Sequence, residues 1–176
     1  MERIIVSGFG GQGALTIGQV IASLYLAKGF NVTWMPSYGA EMRGGTANCS
    51  VIISEETIGS PIITRNADVL IAFNGPSVDK FLPVVRQGGT VIVNTSIVNQ
   101  KIDRPDVKVI GVDATNISVE LDNIKVQNMV MFGGYLSLHP EFKEEEITAT
   151  LRDKFGQKGE KLIPLNIAAI KRGMAV

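Results

Sequence analysis

Residues 7–13 read SGFGGQG, so that Gly8, Gly10, Gly11, Gln12 and Gly13 form a turn between an apolar run and a helical pattern. The chemistry open to such a turn is anion binding. Gly8 permits a tight turn off the strand, Gly10 lets another group approach the main chain, and Gly13 lets the helix pack closely on a sheet. The first N–H groups of the helix have no partner inside it, and the helix dipole adds to their attraction for a phosphate. The plainer reading is a strand-to-helix turn that needs glycine only for its own geometry.

A dinucleotide site requires one residue more, an acid about 20 positions on, at the end of the second strand, to hold the ribose. Here that strand ends Thr33-Trp34-Met35-Pro36, with neither an acid nor an arginine for a 2′-phosphate. Glu41 comes too late and belongs to a second motif, YGAEMRGG, at residues 38–45. This stretch has no helix or strand period, yet it carries Tyr38, Glu41, Arg43, Gly44 and Gly45. Glu41 and Arg43 point apart on a helix but to one side of an extended loop. The alternatives are an exposed loop with a surface ion pair, worth at most about 1 kcal/mol, and a working loop beside the glycine turn. If the first and third strands are neighbours, the two glycine motifs meet at the C-terminal edge of the sheet, where open α/β sheets bind ligands.

Metal and nucleophile chemistry is poorly supplied. The chain has one cysteine, Cys49, and one histidine, His139. An iron–sulfur cluster takes four thiolates and structural zinc four Cys or His ligands, so no metal site is expected. Cys49 falls on the apolar side of an alternating strand and reads as a buried, inert thiol. His139 precedes Pro140 at a helix end with no obvious carboxylate or serine partner, and reads as a capping or exposed residue. KEEEI at 143–147 is an acidic first helical turn. Lysine plus arginine equals aspartate plus glutamate, 17 each, so no net field favours nucleic acid or an anionic membrane. With no signal-peptide or membrane-length apolar stretch, a cytoplasmic location is the expectation.

These residues must be positioned by an α/β framework. Residues 3–7 read as a buried strand, and residues 14–28 as a helix with Ala14, Ile17, Gly18, Ile21, Leu24 and Tyr25 on one face. Gly29 ends it, and residues 31–35 form a second strand, parallel to the first after a crossover. Residues 47–51 alternate as a half-exposed strand, and PIIT at 61–64 is expected to return as a short hairpin. DVLIAF at 68–73, a short helix near 78–85, TVIVN at 90–94 and VKVIGVD at 107–113 follow. A helix starts near Thr115, another spans VQNMVMFGGYLSLH, and two more cover 144–155 and 165–174. Gly133 and Gly134 weaken their helix by roughly 1 kcal/mol each, which implies close packing. Hydrophobic residues at 45% and charged residues at 19% are those of a folded domain. The expected fold is one α/β domain over residues 1–176, a Rossmann-like, mostly parallel sheet flanked by helices.

Taken together, GFGGQG, PSYGAEMRGGT, the strand NCSVIIS, SP at 60–61 with ADVLIAF, and NMVMFGG at 128–134 resemble the gamma subunit of 2-oxoacid:ferredoxin oxidoreductases over essentially the whole chain. The beta subunit of indolepyruvate:ferredoxin oxidoreductase is similar in the same way. The resemblance implies a subunit of a complex that decarboxylates a 2-oxoacid oxidatively on thiamine diphosphate, passes the acyl group to coenzyme A (CoA), and sends electrons through [4Fe–4S] clusters to ferredoxin. It implies alpha and beta subunits that hold the thiamine and a ferredoxin-like subunit that holds the clusters. No thiamine motif of the G-D-G type is present, so this chain is expected to be inactive alone and to bind no cofactor firmly. By the resemblance, its glycine turn contributes to a CoA site, and residues 38–45 form an intersubunit contact or gate. A chain of this length without a fused cluster domain points to 2-oxoglutarate before pyruvate or branched-chain oxoacids. The competing readings are a free-standing dinucleotide-binding oxidoreductase and a pure assembly module.

Overall fold

The computed structural model describes residues 1–38 and 45–176. The chain runs β1 (Glu2–Phe9), α1 (Ala14–Ala27), β2 (Asn31–Tyr38), β3 (Thr46–Ser54), β4 (Ala67–Ala72), α2 (Gly75–Phe81), β5 (Val85–Asn94), β6 (Lys108–Val112), α3 (Ala114–Glu120), α4 (Gln127–Leu136), α5 (Glu144–Gly159) and α6 (Ile163–Met174). One six-stranded sheet has the order β2-β3-β1-β4-β5-β6. β1, β4, β5 and β6 pair in parallel, while β3 is antiparallel to both of its neighbours.

β1 and β4 are buried on both faces, which is why they read as unbroken apolar runs. Alternate residues go to opposite layers. Ile4, Val6, Val69 and Ile71 join α1, α4, α5 and α6 in the larger core, and Ile5, Leu70 and Ala72 join α2 and residues 82–84 in the smaller. Ile17, Ile21 and Leu24 of α1 are fully enclosed, each contributing about 1.5–3 kcal/mol through removal from water.

β2 runs parallel to β1, as expected, with β3 between them. Two other expectations are corrected. Residues 61–64 form no strand; the hairpin of this fold is the β2–β3 pair, with Asn31 opposite Ser54 and Tyr38 opposite Ala47. The helix expected near 78–85 begins earlier, at Gly75, because the Asn74 carboxamide caps it by accepting from the Ser77 N–H at 2.9 Å.

The paired glycines of α4 have the packing reason anticipated for them. A Cβ on Gly133 would stand 2.2 Å from the Ile170 carbonyl oxygen, and one on Gly134 would stand 2.6 Å from Val112 Cγ2. α4 and α6 therefore cross backbone to backbone, with Gly173 facing Gly133.

Candidate functional site

The glycine motif leaves β1 at Phe9 and enters α1 at Ala14. Gly11 (φ +99) and Gly13 (φ +84) take left-handed conformations that strain any residue with a Cβ. The Gln12 N–H closes the turn on the Phe9 carbonyl at 3.1 Å, and the Gly10 N–H donates to the Gly45 carbonyl at 2.9 Å. The two glycine motifs thus meet at the C-terminal edge of β1, because Phe9 pairs with Thr46 across the β1–β3 ladder. The expected closeness of helix to sheet is supplied by another residue. Gly13 is pressed by Asn128 of α4, with a Cβ 2.6 Å from its carboxamide nitrogen, whereas Gly18 sits on β3, with a Cβ 2.3 Å from Cys49 Sγ.

α1 has no side-chain N-cap and no acid in its first turn. Among the described residues, nothing accepts from the N–H groups of Ala14, Leu15 and Thr16. They border a cleft of about 480 Å³ lined also by Phe9, Gly11 and Ala47. No charged side chain of the described residues lines it. Main-chain donors at one end and apolar surface along the rest suit a ligand with an anionic group on an uncharged body.

The other flank of the turn is closed. α1 and α2 pack on opposite layers after β1 and β4, so the crevice where open α/β sheets take nucleotides lies between these two strands. Gln12 spans it: its Oε1 accepts from the Phe9 N–H at 2.6 Å and from Asn74 Nδ2 at 3.0 Å. Beneath, the Ser7 hydroxyl donates to that of Ser77 at 2.9 Å. A ribose acid at the end of β2 would moreover sit a full strand further from the turn than in a dinucleotide fold, about 5 Å more. The geometry therefore gives the dinucleotide reading no support.

Asn74, Ser77 and Asn128 were missed in the sequence as parts of this edge. The NGPS stretch after the strand of 68–73 carried the signal for the first two, as a capping Asn before Gly-Pro. Asn128 had no local signal. Tyr38 ends β2, and its side chain, with Glu41, Arg43 and Gly44, lies outside the described residues. Gly45 is described, and its carbonyl holds the turn.

Cys49 is fully enclosed, and burial pushes its thiol up to about 12. His139 overturns its expectation: its ring nitrogens face Glu2 and Glu141 and it is largely buried. KEEEI opens α5 as read, with the Lys143 N–H donating to Glu146 at 2.8 Å; that bond and Lys28 hold the Glu146 carboxyl below its ordinary range. Among the described residues no group of three or more His, Cys, Asp or Glu could hold a metal ion, and no helix is long and apolar enough to cross a membrane.

Fold and cleft define a doubly wound α/β domain whose glycine turn offers main-chain donors without the acid of a dinucleotide site. Residues 3–176 match the family described as pyruvate ferredoxin/flavodoxin oxidoreductase, and the chain belongs to that family. It is 37% identical over 172 residues to the ketoisovalerate oxidoreductase subunit VorA of Methanothermobacter marburgensis, matching 97% of this chain and 35% of that protein. The chain thus spans about a third of the length of this relative. It is 30% identical to the 2-oxoglutarate synthase subunit KorC of Methanocaldococcus jannaschii, over 99% of this chain and 93% of that one. An indolepyruvate oxidoreductase subunit, IorB of Archaeoglobus fulgidus, is 29% identical over 97% of this chain and 92% of its own length. Among solved structures, 2-oxoglutarate:ferredoxin oxidoreductase from Magnetococcus marinus, with 2-oxoglutarate, CoA and succinyl-CoA bound, superposes with a TM-score of 0.87 at 27% identity, over 99% of this chain and 30% of that one. The gamma subunit of a keto/oxoacid ferredoxin oxidoreductase from Geobacter sulfurreducens superposes with a TM-score of 0.81 at 25% identity, over 99% and 97%.

Proposed function

We propose that the chain works as the gamma subunit of a multi-subunit 2-oxoacid:ferredoxin oxidoreductase. It packs beside the thiamine-binding alpha and beta subunits, does no chemistry alone, and lends its glycine cleft to an anionic group of CoA. The observation that carries the CoA role is the start of α1, whose first-turn N–H groups border a cleft with no acid in it among the described residues. One cysteine cannot hold a cluster, so the [4Fe–4S] centres of the complex lie outside these 176 residues, on cysteine-rich subunits or domains, with ferredoxin as acceptor. Relatives named for ketoisovalerate, 2-oxoglutarate and indolepyruvate all resemble this chain. We take 2-oxoglutarate as the first substrate to test, because KorC is among the relatives that resemble the chain and the Magnetococcus enzyme was solved with that oxoacid.

The purified chain alone is expected to reduce no viologen dye with any 2-oxoacid, thiamine diphosphate and CoA. Purified from native extract, it should bring thiamine-binding and cluster-bearing chains with it, and the complex should turn over one oxoacid of a panel. Gly10→Val should raise the KM for CoA of that complex; an unchanged KM refutes the ligand role of the turn. Arg43→Glu should cost about 2–5 kcal/mol of association if residues 38–45 meet a buried charge on a partner. Wild-type assembly and turnover in that variant reduce the motif to a surface loop. Micromolar binding of NADH by the isolated chain overturns the proposal as a whole.

A further inference from the structure

At the opposite end of α1 from the glycine turn lies a cluster that the proposed function does not use. The single histidine of the chain, His139, follows α4 and packs against the end of α1 and the start of β1. Its Nε2 is 3.3 Å from Glu2 Oε1, and its Nδ1 is 3.1 Å from Glu141 Oε1 and 3.0 Å from the Tyr25 hydroxyl. The Tyr135 hydroxyl donates to Glu2 Oε2 at 3.0 Å and stands 3.2 Å from that of Tyr25. Tyr25 also stacks edge-on with Phe30 and Phe142.

Both nitrogens of the imidazole therefore face carboxylate oxygens. A neutral ring carries a proton on only one of them: with it on Nδ1 the Nε2 lone pair points at Glu2, and with it on Nε2 the Nδ1 lone pair draws the Tyr25 hydroxyl hydrogen to itself while Glu141 loses its donor. Protonated at both, the ring donates toward Glu141 and Tyr25 on one side and faces Glu2 on the other. Tyr25 is then free to donate to Tyr135 and Tyr135 to Glu2, so that hydrogen bonds run from His139 to Glu2, whose other oxygen is within ion-pair reach of the buried Nε2. We infer that His139 is a proton-operated clasp, which when charged ties the start of β1 and the end of α1 to the turn between α4 and α5, and when neutral loosens.

The remaining charges around it fit this assignment. Glu55 and Glu56, after β3, line the same cleft of about 580 Å³ as Glu2, His139 and Glu141, and the terminal residue Met1 borders it too. From α1 and α5, Lys28 sits 4.9 Å from the centre of the Phe142 ring and pairs with Glu146 at 2.9 Å, so its charge is already engaged. Burial works against the imidazolium, but Glu2 and Glu141 outweigh it and raise the His139 pKa above its ordinary value. Burial foremost keeps both tyrosine hydroxyls protonated. With the folded pKa raised, the stabilisation is fully present below the unfolded value of about 6.5 and is lost as pH rises through the folded one.

Because the chain has one histidine, its ring protons can be followed by NMR in the 176-residue chain without assignment. The midpoint is expected above about 6.5, and Glu2→Gln and Glu141→Gln should each bring it down. The urea midpoint of the wild type should fall between about pH 6 and about pH 9, while that of His139→Gln holds level. Should His139→Gln fail to fold, the Glu141→Gln titration decides, since that side chain is 53% exposed and the variant keeps the histidine. A midpoint at or below 6.5, a midpoint that neither carboxamide variant moves, or a His139→Gln slope equal to the wild type's overturns the clasp.

Discussion

The turn that builds the cleft is held by a steric fit that a double-mutant cycle can take apart. Gly13 has φ +84, and a Cβ there would stand 2.6–2.9 Å from three side-chain atoms of Asn128. Gly13→Ala therefore carries two separate costs. Left-handed backbone costs a residue with a Cβ roughly 1–2 kcal/mol, and overpacking against a neighbour typically adds about 1–3 kcal/mol. The sum is about 2–5 kcal/mol, which at an m-value of about 2 kcal/mol/M lowers the urea midpoint by about 1–2.5 M. Asn128→Ala removes two of those three atoms, leaving its own Cβ 2.8 Å away, without changing the backbone of residue 13. In the double variant the left-handed strain and the one Cβ contact remain, so the loss should shrink toward, without reaching, the strain alone of about 1–2 kcal/mol, with a favourable coupling of about 0.5–2 kcal/mol. Urea denaturation of the four proteins at one pH measures every corner of the cycle. If the double variant is as unstable as Gly13→Ala, Asn128 is not what Gly13 makes room for, and the reasoning fails.

Gly133→Ala gains about 1 kcal/mol of helix propensity, yet it places a Cβ 2.2 Å from the Ile170 carbonyl oxygen. The net effect should be a Tm several degrees below wild type, and an unchanged or raised Tm refutes the backbone crossing of α4 and α6. Asn74→Ala removes both the cap of α2 and the bond to Gln12; a loss of about 1–2 kcal/mol in chemical denaturation is expected, and one below about 0.5 kcal/mol counts against it. Cys49, fully buried with its thiol pushed up to about 12, should resist a thiol reagent at mildly alkaline pH until the chain is unfolded. Rapid labelling of the native chain contradicts that.

Local pattern carried a good part of this molecule. The apolar runs at 3–7 and 68–73 placed two central strands, since strands buried on both faces need apolar side chains on both. The i, i+3, i+4 spacing from Ala14 located α1, and two adjacent glycines in an apolar helix announced a close crossing. The missing acid after the second strand argued against a dinucleotide site from residue types alone. The backbone geometry of the turn was also legible, because glycine is the residue that tolerates φ +99 and φ +84 at Gly11 and Gly13.

What the tertiary structure alone decided is who stands beside whom. Periodicity reports which side of an element is apolar but not which element covers it. The chain could not reveal that β3 would slip between β1 and β2, nor that Gly18 rather than Gly13 would bring α1 down onto the sheet. Gln12 and Asn74 are 62 positions apart, and Glu2 and Tyr135 are 133 apart. His139 read as a lone histidine because one of its acids, Glu2, arrives from the other end of the chain, and the other, Glu141, lies two positions on in a turn whose spacing announces no contact. Such partners are set by how strands order themselves in a sheet, and that order is fixed by the packing of whole layers.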